Sequence, residues 1–469
     1  MKCLSLQGKL WTRARPKVLR CVGAVARCRA LAPHVLLGMV IFSLALIVAL
    51  IERLRIRGVG RPQVLFGITP IITNKYWARA LRSHGYRSIS FVYGTYLINS
   101  RDDFDYVPER LFPSLSRMNR VALCLPYLCF LWALLNFEVF FLDFDGGFLR
   151  STPFRFLEFP IFALAGRKII AIPYGGDVLD LRLCRDAQTR EAILADYPLF
   201  ANTFQDVARR VAYYNRWASF ILCGGNFVDF LPRFDLLVAN VLAIDVQEWS
   251  NNNRMARRGR RTSRNAPVTI LHAPNHRNIK GTRLLVQACE ELRAEGVPVK
   301  LVIKQRVPNK EIRQLMRNVD IVASGFITGC YELFAVEGMS MGRPVLNYWR
   351  PDLKLIYSTY SYASECPIVD TPASRLKENI KLLVENPDLR ERLGKAGRQY
   401  VEKYHSFQAV GELLDKVIRK VWLNESVDFS PNRPPCSSHL KLLLKAPNSS
   451  ASALPALDYV RSAGRQRTD

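Results

Sequence analysis

The sequence predicts an α/β protein with two parallel-sheet domains in series, preceded by an apolar segment near the amino terminus. From residue 62 onward, short apolar runs that end in Gly, Pro or Asp alternate with helix-like periodic segments, as in βα units. One basic stretch with almost no apolar residue divides this alternation into two series. The 469 residues suffice for two such domains with full cores.

The predicted leader covers 1–61, and its apolar run at about 35–51 carries no charge. A spanning helix needs ~20 apolar residues and at least ~17, so this run is marginal. Basic residues on both sides leave its orientation open. No small-residue cleavage site follows, which favours a signal anchor or an embedded helix over a cleaved signal peptide. A mis-assigned translation start is an alternative, because Met39 lies inside the run.

The first series covers 62–249. Its predicted strands lie in the segments PQVLFGITP, SISFVYG, EVFFLDF, KIIAIPYGG and ASFILCGG. Ligands of parallel sheets bind at the carboxyl ends of the strands, so Gly67 and Asp177 at such ends are candidate site residues. The apolar run 121–137 is interpreted as a buried helix, with a second membrane segment as the alternative.

Charge points to a polyanionic partner, because Lys and Arg total 67 against 40 Asp and Glu, a formal net charge of +27. The stretch 250–267 holds six arginines and is interpreted as a solvated linker, with anionic lipid as an alternative contact. No aromatic platform accompanies it, which argues against nucleic acid as a partner. The 11 cysteines show no zinc spacing or disulfide framework.

The second series covers 268–406 and opens with LHAPNHRNIKGT, a strand end followed by a basic loop and a glycine before a helix. Backbone N–H groups at that helix start, together with Arg277 and Lys280, form a predicted anion site that suits a diphosphate. The alternative is a solvent-exposed basic loop without a ligand.

The segment GCYELFAVEGMSMGRPV predicts a helix from about Glu332 to Met341, ended by Gly342 and Pro344. Glu337 lies one to two turns inside it, among apolar side chains, where a carboxylate needs a partner. Its oxygens can accept hydrogen bonds from a pair of neighbouring hydroxyls, such as a ribose diol. Glu332, at the helix start, is predicted chiefly as an acid stabilised by the helix dipole.

The motifs HAPNHRNIKGT, NVDIV and ELFAVEGMSMGRPV together resemble the carboxyl-terminal domain of family 4 glycosyltransferases. AIPYGGDVLDLR and FLPRFDLLVANVLAID resemble the amino-terminal domain more weakly, and the similarity covers roughly 62–422. The resemblance implies a GT-B fold, in which two Rossmann-like domains face a central cleft. It also implies a retaining, metal-independent enzyme without a cofactor that uses a nucleotide-sugar donor.

The family motif contains two glutamates with seven residues between them. Glu337 matches the second, which holds the nucleotide ribose in the family. The first would be residue 329, which is glycine here, so Gly329 puts donor-sugar recognition in question. Glu332, three residues further on, is a candidate substitute.

Other site residues follow by the same match. Arg277 and Lys280 would hold the donor diphosphate, Asp177 would lie near the sugar, and Gly67, after the first strand, would let the backbone approach a substrate. The resemblance requires no protein nucleophile, since the departing phosphate can act as the base. The DFD motif at Asp143 and Asp145 matches the metal signature of the GT-A architecture by three letters, so a cleft-lining Asp145 is preferred to a metal site.

We therefore expect a glycosyltransferase that moves a sugar from a nucleotide-sugar donor to a lipid-linked or polysaccharide acceptor at the cytoplasmic face of the cell membrane. A non-catalytic partner subunit of a polysaccharide assembly complex and a nucleotide-sugar epimerase are the alternatives. The helix 407–422 is expected to return to the first domain, and 423–469 is predicted to be disordered.

Overall fold

The structure is a computed structural model that describes residues 36–53, 60–96, 98–114, 122–251 and 266–433. Most of the predicted basic linker and residues 434–469 of the predicted tail lie outside the described residues. The described chain contains two parallel sheets, each flanked by helices. This arrangement confirms the predicted fold class of two parallel-sheet α/β domains.

The first domain is built on a six-stranded sheet in the order β2-β1-β3-β4-β5-β6, and every pair is parallel. Its strands are β1 Val64–Ile68, β2 Ser88–Val92, β3 Val139–Leu142, β4 Lys168–Ala171, β5 Phe220–Cys223 and β6 Leu236–Leu237. Strand order reverses between β1 and β3, and such a switch point opens a crevice at the carboxyl ends of the strands.

Three helices of the first domain follow the strands: α2 Ile72–Ser83, α6 Ala187–Asp196 and α7 Phe204–Trp217. Trp77, Ala80 and Leu81 of α2 are buried, as the apolar periodicity predicts, and Gly85 ends the turn after it with φ of +78°. The side chain of Asp186 caps α6 by accepting a hydrogen bond from the Thr189 N–H.

The second domain holds a five-stranded parallel sheet in the order β11-β10-β9-β7-β8. Its strands are β7 Val268–His272, β8 Val299–Ile303, β9 Ile321–Ala323, β10 Val345–Asn347 and β11 Val369–Asp370. Its helices are α8 Thr282–Ala294, α9 Asn309–Met316, α10 Leu333–Ser340, α11 Pro351–Tyr360, α12 Leu376–Glu385 and α13 Pro387–Tyr404. The switch point lies between β7 and β9, so the loops after these strands form the edge where ligands bind.

The last helix, α14 Phe407–Trp422, packs along α2 of the first domain. Its Gly411 allows this approach, because a Cβ there would meet the Ala80 carbonyl and the His84 ring. Residues 423–433 continue onto the first domain, where Phe429 is buried against Phe220. For these residues the structure differs from the predicted disorder, because the aromatic side chain finds an apolar site.

A separate compact unit, here called unit 1, comprises the described residues of 1–60, 108–138 and 146–167. Its helices are α1 Leu36–Arg53, α3 Pro108–Leu111, α4 Leu125–Asn136 and α5 Glu158–Leu164. Two later segments of the predicted first domain thus cluster with the described part of the leader. Pro126 lies in the first turn of α4, where a helix tolerates proline.

Candidate functional site

The loop from β7 to α8 carries the predicted anion site at the switch point of the second sheet. Gly281 precedes the first residue of α8 with φ of +68°, a conformation that favours glycine. A Cβ there would also lie 3.1 Å from that of Phe326, in the loop after β9. Glycine therefore lets the start of α8 lie close to the neighbouring loop. The N–H groups of Thr282 and Leu284 at this start already donate to the carbonyls of Arg277 and Gly281, at 2.9 and 3.1 Å, so the predicted contribution of free helix N–H groups is reduced.

Lys280 is buried beside this helix start, and its ammonium forms an ion pair with the carboxylate of Glu332. Burial lowers the pKa of Lys280 to about 7, so a nearby anion is needed to keep it charged. Glu332 directly precedes α10, as predicted, but its side chain makes no capping hydrogen bond. Its carboxylate contacts Lys280 beside the predicted anion site, and its predicted stabilisation by the helix dipole stays a prediction.

Arg277 lies in the same loop with an exposed side chain that makes no hydrogen bond or ion pair with another described residue. The neighbouring backbone is held to the first domain, because Asp196 accepts hydrogen bonds from the Asn278 amide at 2.8 Å and the Ile279 N–H at 2.9 Å. The loop is thus anchored while the Arg277 guanidinium remains available to a ligand.

Glu337 is buried in the second turn of α10, and its Oε1 accepts a hydrogen bond from the side-chain amide of Asn309 at 2.9 Å. Burial raises the pKa of Glu337 to about 8, against which the Asn309 hydrogen bond and the charge of Arg313 act. Asn309 is the first residue of α9, and no sequence motif identifies it as a partner of Glu337. The predicted helix position of Glu337 is correct within a residue at each end of α10.

Gly329 takes a left-handed backbone conformation, with φ of +73°, in the loop before α10. Its carbonyl accepts the Arg350 N–H at 3.0 Å, and a Cβ at this position would overlap with Arg350. The backbone here therefore has no room for the glutamate that the family motif places at this position.

Arg350 is a site residue that the sequence did not reveal. Its guanidinium is buried and makes paired hydrogen bonds with Asp229, at 2.7 and 3.0 Å, and with Asp352, at the same distances. Burial opposes the charge, but the two carboxylates outweigh it and raise the pKa of Arg350. Asp229 belongs to the first domain, so this cluster joins the Gly329 loop to that domain.

Tyr331 anchors the same loop from its other end. Its hydroxyl lies 3.0 Å from Nε2 of His405 and 3.1 Å from the Tyr400 hydroxyl, and all three side chains are buried. Its carbonyl accepts a hydrogen bond from the Asn240 amide at 2.6 Å. Burial lowers the pKa of His405 to about 4, so the ring is neutral and has a structural role.

Asp177 is fully buried in the first domain, where its carboxyl group accepts hydrogen bonds from the backbone N–H groups of Phe144, Tyr174 and Gly175 at 3.0, 3.2 and 2.8 Å. These bonds hold together the loops after β3 and β4. Burial, with the nearby charges of Asp143 and Asp145, raises its pKa to about 8. The predicted contact of Asp177 with a sugar stays a prediction.

The two aspartates of the DFD motif lie in different environments. Asp143 is buried and accepts a hydrogen bond from the Asp145 N–H at 3.0 Å. Asp145 is partly exposed and accepts a hydrogen bond from the Tyr174 hydroxyl at 2.6 Å, with the Arg210 guanidinium at 3.5 Å. In the described part of the chain, no group of three or more His, Cys, Asp or Glu side chains could hold a metal ion.

Gly67 lies within β1 rather than after it, paired with Phe91 of β2 and Leu142 of β3. A Cβ here would lie 2.6 Å from the Phe91 carbonyl oxygen, so strand packing already requires glycine. This corrects its predicted position, and the approach of a substrate to Gly67 stays a prediction.

The structure brings Lys280 and Glu332 into direct contact and places Glu337 on the helix that Glu332 precedes. Asp177 belongs to the first sheet. Among the described residues, no hydrogen bond or ion pair joins it to Lys280, Glu332 or Glu337. The geometry thus groups the residues of the predicted anion site in the second domain and places a separate carboxylate cluster in the first.

Comparison with known proteins found no matching family model and no matching curated protein. Among solved structures, the chain is similar to Alr3699/HepE of Anabaena in complex with UDP and glucose, with 12% identity, TM-score 0.48 and coverage of 76% of this chain and 99% of that chain. It is also similar to sucrose-phosphate synthase of Thermosynechococcus elongatus, with 13% identity, TM-score 0.47 and coverage of 77% of this chain and 100% of that chain. A glycosyltransferase of Rickettsia africae ESF-5 has 13% identity, TM-score 0.46 and coverage of 77% and 99%. Likenesses of this degree do not establish a reaction.

Proposed function

We propose that the protein is a glycosyltransferase that moves a sugar from a nucleotide-sugar donor to a lipid-linked or polysaccharide acceptor, with retention of configuration and without a metal. The observation that carries the proposal is the buried Lys280 at the glycine-preceded start of α8, at the switch point of the second sheet. A buried lysine ammonium, with the exposed Arg277 guanidinium in the same loop, suits a diphosphate.

In the proposed reaction the donor diphosphate replaces the carboxylate of Glu332 as the anion beside Lys280, while Arg277 contacts it from the solvent side. The bond between the anomeric carbon and the phosphate oxygen breaks, and its electron pair goes to the diphosphate. The acceptor hydroxyl forms the new bond on the same face and gives its proton to the departing phosphate. Lys280 and Arg277 stabilise the charge that develops on the leaving group.

Glu337 is proposed to hold the ribose diol and Glu332 to turn to the sugar once it is released from Lys280. Asp177, through the loops that it holds, would shape the acceptor side. The apolar leader and the basic surface support a location at the cytoplasmic face of the cell membrane, where an anionic lipid-linked acceptor is found.

Lys280 provides a direct test of the anion site. Lys280→Met is expected to weaken binding of a nucleoside diphosphate about tenfold or more in calorimetry, because one charge-assisted hydrogen bond is lost. Lys300→Met, an exposed lysine of β8, is the matched control and should bind like the wild type. Equal binding by all three proteins would remove Lys280 from the site.

The pH dependence of binding is a second test. A diphosphate favours charged Lys280 more strongly than the single Glu332 carboxylate does. Binding therefore takes up protons around the pKa of Lys280 in the protein without ligand, which burial lowers to about 7. Affinity should therefore fall as the pH rises from about 6 to about 8.5, after correction for ionisation of the ligand. An unchanged affinity over this range would contradict the buried lysine site.

Sugar transfer is tested by incubating a panel of labelled sugar nucleotides with membranes that contain the protein. Turnover should persist in a chelator, whereas loss that manganese restores would favour a metal at Asp143 and Asp145. The second candidate, a non-catalytic partner subunit, is favoured by Gly329, where the backbone excludes the family glutamate. Nucleotide binding without transfer or donor hydrolysis across the panel would support that candidate.

A further inference from the structure

Helix α1 has one buried side and one exposed side, and both are apolar. Ile41, Ala45 and Ala49, spaced four residues apart, are buried at 6%, 0% and 0% exposure. The exposed side comprises the large apolar residues Leu36, Met39, Val40, Leu44, Leu46, Ile47, Leu50 and Ile51. This exposed side is far more apolar than the side that a helix of a soluble protein normally presents to water.

The buried side of α1 packs against other residues of unit 1. The Phe42 ring lies 6.5 Å from that of Phe130 in α4 and 5.1 Å from that of Phe154, both edge-on. Gly38 also packs against the Phe154 ring, since a Cβ there would overlap with it. The amino-terminal half of α1 is therefore packed onto protein.

The carboxyl-terminal end of α1 is held by charge. Glu52 forms a 3.0 Å ion pair with Arg167, whose guanidinium also donates to the Leu134 carbonyl of α4 at 2.8 Å. Arg167 is buried and also forms a 3.8 Å ion pair with Glu138, so its charge is shared between two carboxylates of unit 1. Both ends of α1 are thus tied to unit 1.

These contacts conflict with a helix that crosses the bilayer. The 18 residues of α1 span ~27 Å, so crossing a hydrocarbon core of ~30 Å would take the whole helix. Phe154, which contacts its first half, belongs to a segment, 146–157, that forms neither helix nor strand. Ser151 and Arg155 of this segment are exposed, and a crossing helix would carry them to the depth of the hydrocarbon, where irregular backbone and charge are costly.

Unit 1 exposes further apolar side chains. Phe156 and Leu157, close to Phe154 in the sequence, are 39% and 44% exposed, and Leu135, next to Leu134, is 51% exposed. We group these residues with the exposed residues of α1 as the apolar face of unit 1. The apolar composition of α1 and the basic net charge of the chain suit the acyl chains and anionic headgroups of a lipid bilayer.

We propose that α1 lies in the plane of one leaflet, with the apolar face of unit 1 in lipid and its other side on α4, so that the protein is a monotopic membrane protein. A single-pass anchor would be surrounded by lipid and would need no protein contacts. The inference does not depend on sugar transfer, so its failure would leave nucleotide binding by the second domain unaffected.

The membrane contact is tested with the full chain and vesicles of phosphatidylcholine and phosphatidylglycerol. Ile47→Asp and Leu50→Asp are each expected to lower vesicle partitioning about tenfold or more, since each places a charge on the apolar face. Leu355→Asp, at a residue of α11 with the same 51% exposure as Leu135, is the matched control and should partition like the wild type. Circular dichroism melting must show that all variants are folded.

Orientation is tested by protease digestion of sealed membranes containing the protein with one tag before Met1 and another after Asp469. A monotopic α1 leaves both tags on one side, whereas a spanning α1 places them on opposite sides, and the latter result would overturn the inference. Absence of vesicle binding, with self-association that Ile47→Asp abolishes, would also overturn it and identify the apolar face as a protein interface.

Discussion

Replacing Glu337 with glutamine tests its buried environment and its proposed ribose contact in one variant. Glu337→Gln keeps the shape and the oxygen that accepts the Asn309 hydrogen bond at 2.9 Å, but it removes the charge. Burial raises the pKa of Glu337 from 4.5 to about 8, which disfavours the charged form in the folded state. At ~1.4 kcal/mol per pH unit, this difference corresponds to a penalty of ~5 kcal/mol when the group is fully ionised.

The sign of the pH effect follows from the raised pKa. The stability contributed by protonated Glu337 is fully present below pH 4.5 and is lost as the pH rises through about 8. The stability of Glu337→Gln relative to the wild type should therefore increase by several kcal/mol between pH ~5 and pH ~9. Urea unfolding of both proteins at the two pH values measures this change.

A matched control and a binding measurement complete this test. Glu290→Gln removes a carboxylate from an exposed position of α8 and should not reproduce the change. Equal stability differences at pH ~5 and pH ~9 for Glu337→Gln would refute the buried environment. At pH ~9, above the pKa of Glu337, the variant should also bind a nucleoside diphosphate about tenfold or more weakly, because hydrogen bonds from a diol to a charged carboxylate are lost. Unchanged binding would refute the ribose contact while leaving the burial argument intact.

Three further substitutions test the loop before α10. Gly329→Glu should destabilise the second domain by at least ~2 kcal/mol in thermal unfolding, because the left-handed backbone and Arg350 both exclude a side chain, and a neutral effect would contradict the loop shape. Arg350→Met should cost ~3–5 kcal/mol by removing the paired hydrogen bonds of buried Asp229, which keeps a 3.5 Å ion pair with Arg185, and urea unfolding showing under ~1 kcal/mol would contradict this network. Tyr331→Phe should cost ~1–2 kcal/mol by removing the hydroxyl that His405 contacts, and a stability equal to the wild type would show that the loop is anchored elsewhere.

The strands of three or more residues could be predicted from the sequence, because each is a short apolar run that ends near a turn residue. The two-residue strands β6 and β11 were missed, since so short a run carries no periodic signal. The helix that holds Glu337 was predicted within a residue at each end, because glycine and proline mark its end. The predicted roles of Arg277 and Lys280 rest on local spacing, and the structure places both in the expected loop.

What the sequence determined by itself is local: the alternation of strands and helices, the apolar segment at α1 and the basic loop before α8. The tertiary structure determines which side chains contact each other. Glu332 meets Lys280 from a loop 52 residues away in the sequence, and Arg350 meets Asp229 across 121 residues. Such pairs form because the parallel strands deliver their following loops to one edge of each sheet, and no periodicity encodes which side chains then meet. Likewise, hydropathy shows that α1 is long and apolar enough to cross a membrane, whereas its packing on α4 comes from the tertiary structure.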